Sequence, residues 1–195
     1  MAKKNKTLRI GTLFSGIGAF EHALQQLNTP HTIQFACDSG ERELPLTYGD
    51  LSKLTENLND KELFEYCESY INKIGVNREY RSIETKLLYK IASKKSPEKE
   101  DSPIVLKFQK EGRRSLASHK LTITQEQIVS LTPNMTSKER EQYVTKLYNN
   151  MGEHNYVKDA YFANYDITEK NWHEDIRFLD ASEYEGSLDI LIGGS

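Results

Sequence analysis

The sequence LRIGTLFSGIGAFEHALQQL, residues 8–27, contains a β-favouring run, a glycine turn and an amphipathic helix in direct succession. The run ends at Phe14, the turn holds Gly16 and Gly18, and apolar residues then recur at helical spacing. A second β-favouring run, TIQFAC (32–37), ends next to Asp38. Strand, glycine turn, helix and strand in this order predict the βαβ opening of an α/β fold.

The α/β pattern returns at the other end of the sequence. A buried-type strand is predicted over Leu188 to Ile192, where it leads into a glycine-rich loop, and a further strand is predicted over residues 161–165. The sequence therefore predicts a split α/β unit, residues 1–50 and 159–195, that holds a charged and mainly helical insert, residues 51–158.

Helical spacing and capping signals divide the insert. One helix is predicted from Leu63 to Ile74 with Gly75 as its stop, and another is predicted around Ile83 to Ile91. Two capping boxes predict further helix starts, at Thr124 with Gln127 and at Thr136 with Glu139. Residues 90–114, which include two prolines, predict an exposed loop.

Composition excludes several classes of protein. With 195 residues, 37% of them hydrophobic, the chain has room for one core and an elaboration, and its net charge of -3 gives no global basic footprint for nucleic acid. Two cysteines, Cys37 and Cys67, cannot form a disulfide framework, and no zinc-type spacing predicts a metal. Without a signal-peptide or membrane-span pattern, we expect a cytoplasmic protein that does not bind membranes.

The glycine turn and Asp38 predict a nucleotide-type ligand. Glycines between a strand and a helix let the backbone approach a ligand, and an acid at the end of the next strand can accept hydrogen bonds from a ribose diol. Glu21 stands where the dinucleotide fingerprint has its third glycine, which argues against a standard dinucleotide site. Dinucleotides and S-adenosylmethionine both carry this ribose, so these two features leave both open.

Four segments, in order, resemble the motifs of the DNA (cytosine-5) methyltransferase family. They are LFSGIGAFEHAL (13–24), FACDSGE (35–41), NWHEDI (171–176) and DILIGGS (189–195). The resemblance implies a partial Rossmann-like sheet of the S-adenosylmethionine-dependent methyltransferases, interrupted by the insert. In the family, the last of these strands leads directly into Pro-Cys-Gln, whose cysteine is the nucleophile.

The same resemblance implies a set of cofactor-binding residues, with S-adenosylmethionine as the cofactor. The turn would wrap the methionine and adenosine portions, an acid would hold the ribose, a second acid and the next backbone group would read adenine, and glycines would border the transferring methyl group. In that order, these residues are Phe14, Ser15, Gly16, Ile17 and Gly18, then Asp38, then Asp175 and Ile176, then Gly193 and Gly194. Ser39 completes the cofactor-binding set, at a position where the family has a bulky apolar residue that packs on adenine, so the residue type here departs from the family.

By this resemblance, the function is methyl transfer from S-adenosylmethionine to C5 of cytosine in duplex DNA, in a restriction-modification setting. The family flips the cytosine out of the duplex and attacks C6 with a thiolate. We expect this sequence to supply the cofactor half-site and to lack the nucleophile, so a second polypeptide with the cysteine and the target-recognition domain is an expected partner. The alternatives are a non-catalytic remnant that binds cofactor or DNA, and a different Rossmann-type enzyme.

The remaining candidate residues have structural interpretations. Cys37 and Cys67 are predicted to be buried and inert thiols, Trp172 a packing anchor, and His173 with Glu174 a surface pair. The basic stretch KFQKEGRRSLASHK, residues 107–120, is a candidate for contact with DNA phosphates, and its alternative is a solvated surface of the insert.

Overall fold

The computed structural model of the chain describes residues 6–94, 99–109 and 116–193. Within these residues there are six β-strands and seven α-helices. The strands are β1 Leu8–Leu13, β2 His31–Cys37, β3 Val105–Gln109, β4 Leu116–Lys120, β5 Trp172–His173 and β6 Ile190–Gly193. The helices are α1 Ala19–Gln26, α2 Tyr48–Leu54, α3 Asp60–Lys73, α4 Arg81–Ser93, α5 Gln125–Leu131, α6 Ser137–Asn150 and α7 Tyr156–Asn164.

The chain divides into two compact units. The first unit runs to Arg42 and resumes at Asn134, and the second is Glu43–Pro133. The predicted insert, residues 51–158, includes α6 and only the first three residues of α7. Both helices belong to the first unit because they bury large side chains there: Tyr148 of α6 donates its hydroxyl to Asp175 at 3.0 Å, and Tyr161 of α7 packs with the sheet.

The first unit contains a four-stranded sheet in the order β5-β2-β1-β6, and every neighbouring pair is parallel. If the four strands are numbered one to four along the chain, their order across the sheet is 3-2-1-4. This is the strand order that begins a doubly wound α/β fold. The α/β prediction is confirmed at this level, and the sheet is compatible with a Rossmann-like fold.

Strand register places four strand ends in one row. Leu13 pairs with Cys37 on one side and with Gly193 on the other, and Cys37 pairs with His173. The segments that leave these four strands therefore meet at one edge of the sheet, its carboxyl edge. In open α/β sheets, ligands bind outside this edge.

Residues 161–165 form no strand, so that prediction was wrong. Residues 161–164 complete α7, and Tyr165 is its C-cap. The helix begins after Asn155, whose side-chain oxygen accepts the N–H of Lys158 at 3.0 Å. A short aromatic run does not distinguish a strand from a buried helical segment. Here Tyr161 is fully buried against Ala36 and Trp172, which confirms the prediction that Trp172 is a packing anchor.

The second unit confirms several local predictions. Helix α3 ends at Lys73, with Ile74 as its C-cap and then Gly75, which has a φ of 74°. Helix α4 covers the predicted Ile83–Ile91 segment. In addition to these helices, β3 lies within residues 90–114, the stretch expected to include a loop, and it pairs antiparallel with β4, which begins after that stretch. Apolar side chains close the core of this unit; its fully buried members include Leu46, Ile71, Leu88, Ile104, Leu106, Leu121 and Ile128.

Both capping boxes predicted from the sequence are present. Thr124 caps α5 with Gln127, and Thr136 caps α6 with Glu139, each by reciprocal side-chain and backbone hydrogen bonds. Such caps satisfy N–H groups that have no acceptor within the helix.

Of the helices in the described ranges, none is both long enough and apolar enough to span a membrane.

The basic stretch proposed to contact DNA, residues 107–120, is described only in part. Its centre, residues 110–115, lies outside the described residues, whereas Lys107 and Lys120 at its two ends are exposed. DNA contact by this stretch stays a prediction.

Candidate functional site

The carboxyl edge of the sheet brings together the residues predicted to form a site. Residues 14–18 follow β1, Asp38 and Ser39 follow β2, and Asp175 and Ile176 follow β5 by one residue. Gly193 is the last residue of β6, and Gly194 lies outside the described residues. The order of the strands reverses direction between β1 and β6, which is where open α/β sheets leave a crevice for ligands.

The turn after β1 has an unusual backbone. Phe14, Gly16 and Gly18 all lie in the left-handed region, with φ of 53°, 54° and 82°. Non-glycine residues seldom adopt this conformation, so Phe14 is strained and is held by its surroundings. Its side chain is 58% exposed and that of Ile17 is 67% exposed. The turn therefore presents two apolar side chains to solvent next to the start of α1.

Asp38 connects this turn with the loop after β2. One carboxylate oxygen accepts the N–H of Gly16 at 2.8 Å, and the other accepts the N–H of Gly40, also at 2.8 Å. A carboxylate oxygen can accept two hydrogen bonds, so each oxygen keeps acceptor capacity for a further donor. A ribose diol supplies two such donors.

The backbone around Asp38 is fixed on both sides. Its N–H donates to the carbonyl of His173 at 3.1 Å, and its carbonyl accepts the side-chain amide of Asn155 at 3.1 Å. Asn155 comes so close that a Cβ on Gly40 would lie 2.3 Å from its amide oxygen. Gly40 also has a φ of 64°, so this position favours glycine on two grounds.

A buried ion pair lies behind the loop. Arg42 donates to Glu174, and their side chains are only 7% and 5% exposed. Arg42 also donates to the carbonyls of Ser39 at 2.8 Å and Glu153 at 3.3 Å, and Asn155 donates to Glu174 at 3.1 Å. These bonds hold the chain before and after the second unit in one network. The prediction that His173 and Glu174 form a surface pair was wrong, because both are buried.

Protein donors surround the Asp175 carboxylate. Arg177 donates from its backbone and from its guanidinium, at 2.6 Å for the closest pair of atoms, and Tyr148 donates at 3.0 Å. The bond to Asp175 raises the pKa of Arg177, and burial raises the pKa of Tyr148. The role predicted for Asp175, acceptance of the adenine amino group, therefore requires a ligand to displace one of these donors. Ile176 is half-buried beside it.

The side chain of His173 points into a separate hydrogen-bonded cluster. One ring nitrogen lies 2.5 Å from Glu141 and the other lies 2.9 Å from the hydroxyl of Tyr184, while the ring packs edge-on against Phe35. The second oxygen of Glu141 accepts the N–H of Asp180 at 3.0 Å. Because both ring nitrogens of His173 have partners inside the protein, this cluster stabilises the edge of the sheet.

The pKa values of both cysteines of the sequence are raised. Both are buried, as predicted, and burial raises the pKa of Cys67 to about 12. Burial and the nearby carboxylates, Asp175 first among them, raise the pKa of Cys37 as well. A thiol reacts as a thiolate, so a raised pKa disfavours the reactive form of both groups near neutral pH.

The residues that sequence reasoning missed are Arg42, Tyr148 and Asn155. Their partners lie far away in sequence; Arg42 and Glu174, for example, are 132 positions apart. No local pattern could have indicated these pairs.

Searches against protein-family models, curated proteins and solved structures found no match to the chain. A proposal for function therefore depends on the motifs and on the geometry of this edge.

Proposed function

We propose that the chain is the S-adenosylmethionine-binding part of a DNA (cytosine-5) methyltransferase, which methylates C5 of cytosine in duplex DNA. The observation that carries the proposal is the position of Asp38, between the left-handed turn after β1 and the loop after β2. The order of the four motifs supports the family, and the strand order supports a nucleotide-type ligand at this edge.

The ribose and methionine portions of the cofactor fit this edge. Asp38 retains acceptor capacity on both oxygens, which suits the two hydroxyls of the ribose. The methionine carboxylate needs N–H donors, and the first turn of α1 supplies them, since such groups have no acceptor within a helix. The exposed Phe14 and Ile17 offer apolar surface beside the same turn.

The adenine portion fits less completely. Asp175 accepts from Arg177 and Tyr148, so its carboxylate would reach the adenine amino group only after a rearrangement. Ser39 offers no bulky surface for the base. We infer that adenine contributes less to affinity here than the ribose and the methionine carboxylate.

S-adenosylmethionine supplies a methyl group on a sulfonium centre, and the residues of this chain bind and orient it. Cys37 and Cys67 are buried thiols, so the nucleophile for C6 of cytosine would come from a second polypeptide or another segment. The two free thiols suit a reducing, cytoplasmic setting. The alternative proposal, a cofactor-binding chain without chemistry of its own, is favoured by the same buried thiols.

Calorimetry on the full chain tests the ligand class. We expect S-adenosylhomocysteine to bind and NAD to bind far more weakly, because Glu21 occupies the position of the third glycine of the dinucleotide fingerprint. Equal binding of the two ligands would contradict the assignment of the pocket.

A methylation assay tests the division of labour. The purified chain, incubated with duplex DNA and labelled S-adenosylmethionine, should incorporate no label above the level of a boiled control. Incorporation would show that the chain carries a nucleophile of its own, and the reading of both cysteines as inert would be wrong.

A further inference from the structure

Glu21 on α1 is buried, with only 1% of its surface exposed. One carboxylate oxygen accepts the hydroxyl of Tyr161 at 2.5 Å. A buried carboxylate is unfavourable unless donors hold it, so this bond ties α1 to α7. In the dinucleotide fingerprint, a glycine at the position of Glu21 allows close packing of helix and strand. This chain has a hydrogen-bonded anchor there instead.

A line of hydrogen bonds continues from Tyr161 toward the carboxyl edge of the sheet. The Tyr161 hydroxyl lies 3.4 Å from that of Thr12, and the Thr12 hydroxyl lies 3.0 Å from that of Ser15. The hydroxyl of Ser15 accepts the N–H of Cys37 at 3.1 Å. The line therefore runs from α1 through α7 and β1 to the turn after β1 and the end of β2.

The protons in this line can all point the same way. A carboxylate only accepts, so Tyr161 donates to Glu21 and its oxygen is then free to accept from Thr12. Thr12 can then accept from Ser15, whose oxygen accepts the N–H of Cys37 and whose proton also has the carbonyls of Thr12 and Cys37 as acceptors, each at 3.3 Å. Hydrogen bonds aligned in a chain strengthen one another, so the loss of one hydroxyl should loosen the whole line.

Tyr165, four residues after Tyr161, contacts the turn that follows β1. Its hydroxyl donates to the carbonyl of Gly18 at 2.6 Å. Its ring fills the space beside that residue, since a Cβ on Gly18 would lie 2.1 Å from the ring. The rings of Tyr161 and Tyr165 are 4.8 Å apart, so the two side chains form one packed pair.

We infer that Tyr161 of α7 and Tyr165, the residue that follows α7, are positioning residues that hold the turn after β1 in its ligand-binding conformation. The inference rests on the proposed function and extends it to residues that do not lie at the carboxyl edge of the sheet. Tyr161 acts through Thr12 and Ser15, and Tyr165 acts through Gly18. A binding group that is misplaced by about 1 Å loses much of its effect, so this support has a measurable consequence for binding.

The first test needs no ligand. Amide hydrogen exchange, read by NMR, should be about tenfold faster at Gly16 and Gly18 in Tyr161→Phe and in Thr12→Val, because each change removes one hydroxyl from the line. Thr12→Ser keeps its hydroxyl and should exchange like the wild type. Tyr156→Phe is the matched control on α7, since Tyr156 is 77% exposed.

The second test measures affinity. The Kd for S-adenosylhomocysteine should rise about tenfold in Tyr161→Phe, Tyr165→Phe and Thr12→Val, and should stay within about twofold in Thr12→Ser and Tyr156→Phe. The double variant Tyr161→Phe with Thr12→Val should lose less than the product of the single losses, because both changes break one line.

The outcomes separate the two claims. If the variants melt at lower temperature but keep the exchange rates of Gly16 and Gly18, the tyrosines are structural only and the inference is overturned. If the wild-type chain binds no S-adenosylhomocysteine, the proposed function fails, and the exchange rates alone then decide whether the tyrosines position the turn.

Discussion

The carboxylate of Asp38 accepts the backbone N–H of Gly16 at 2.8 Å. This bond joins the turn after β1 to the loop after β2, two segments that are separated along the chain and meet at the carboxyl edge of the sheet. The second oxygen of Asp38 accepts the N–H of Gly40, so the acid organises both segments and still has acceptor capacity for a ligand.

Gly18 should tolerate no side chain. Alanine there would have to keep a φ of 82° and to displace the ring of Tyr165, which would lie 2.1 Å from its Cβ. We expect Gly18→Ala to lower the free energy of unfolding by about 2 to 5 kcal/mol, the combined cost of left-handed backbone and overpacking.

The matched control for this change is Gly186→Ala. Gly186 also has a positive φ, 69°, but no atom lies within 4 Å of its Cβ position, so only the backbone cost of about 1 to 2 kcal/mol applies. Urea unfolding of both variants checks the prediction. Equal losses in the two variants would contradict the close approach of Tyr165.

The buried pair of Arg42 and Glu174 should be sensitive to the loss of one partner. Arg42→Met leaves Glu174 buried without its guanidinium, and we expect a loss of about 3 to 5 kcal/mol. Lys61→Met removes an exposed partner of Glu65 and should change stability by about 0.5 kcal/mol or less. Similar midpoints of urea unfolding for both variants would count against a buried pair.

Cys67 should make stability fall at high pH. Burial raises its pKa to about 12 in the folded chain, whereas an unfolded thiol titrates near about 8.5. The folded pKa is the higher one, so the contribution is complete below about pH 8.5 and is lost as pH rises from there toward about 12.

Urea unfolding at neutral and alkaline pH, for the wild type and for Cys67→Ala, isolates this effect. Other groups titrate equally in both proteins, so the wild type should lose more stability between the two pH values. Native chain should also react with a thiol reagent only when urea is present. Equal pH dependence together with fast native labelling would refute the burial of this thiol.

Local features of the fold could be predicted from the sequence because their signals are local. The turn at Gly16 and Gly18, the caps at Thr124 and Thr136, and the end of α3 before Gly75 each depend on residues only a few positions apart. Backbone conformation and capping chemistry act over this range, so the amino-acid sequence alone is enough to predict these features.

Features that depend on distant partners could not be predicted in this way. The aromatic run that ends α7 suits a strand as well as a helix, and only its packing against Ala36 and Trp172 distinguishes them. The boundary between the second unit and the returning part of the first differs for the same reason, since α6 looks like any other charged helix in sequence. The interaction of Arg42 with Glu174 becomes visible only in three dimensions.

Binding of S-adenosylhomocysteine to the wild type, to Asp38→Ala and to Asp180→Ala, measured by calorimetry, tests the central claim most directly. Asp180 is the matched control, because its carboxylate caps the short 3-10 helix Ala181–Tyr184 in the same unit. We predict that Asp38→Ala weakens binding by about tenfold or more while Asp180→Ala binds like the wild type. Wild-type affinity in a folded Asp38→Ala variant would contradict the claim.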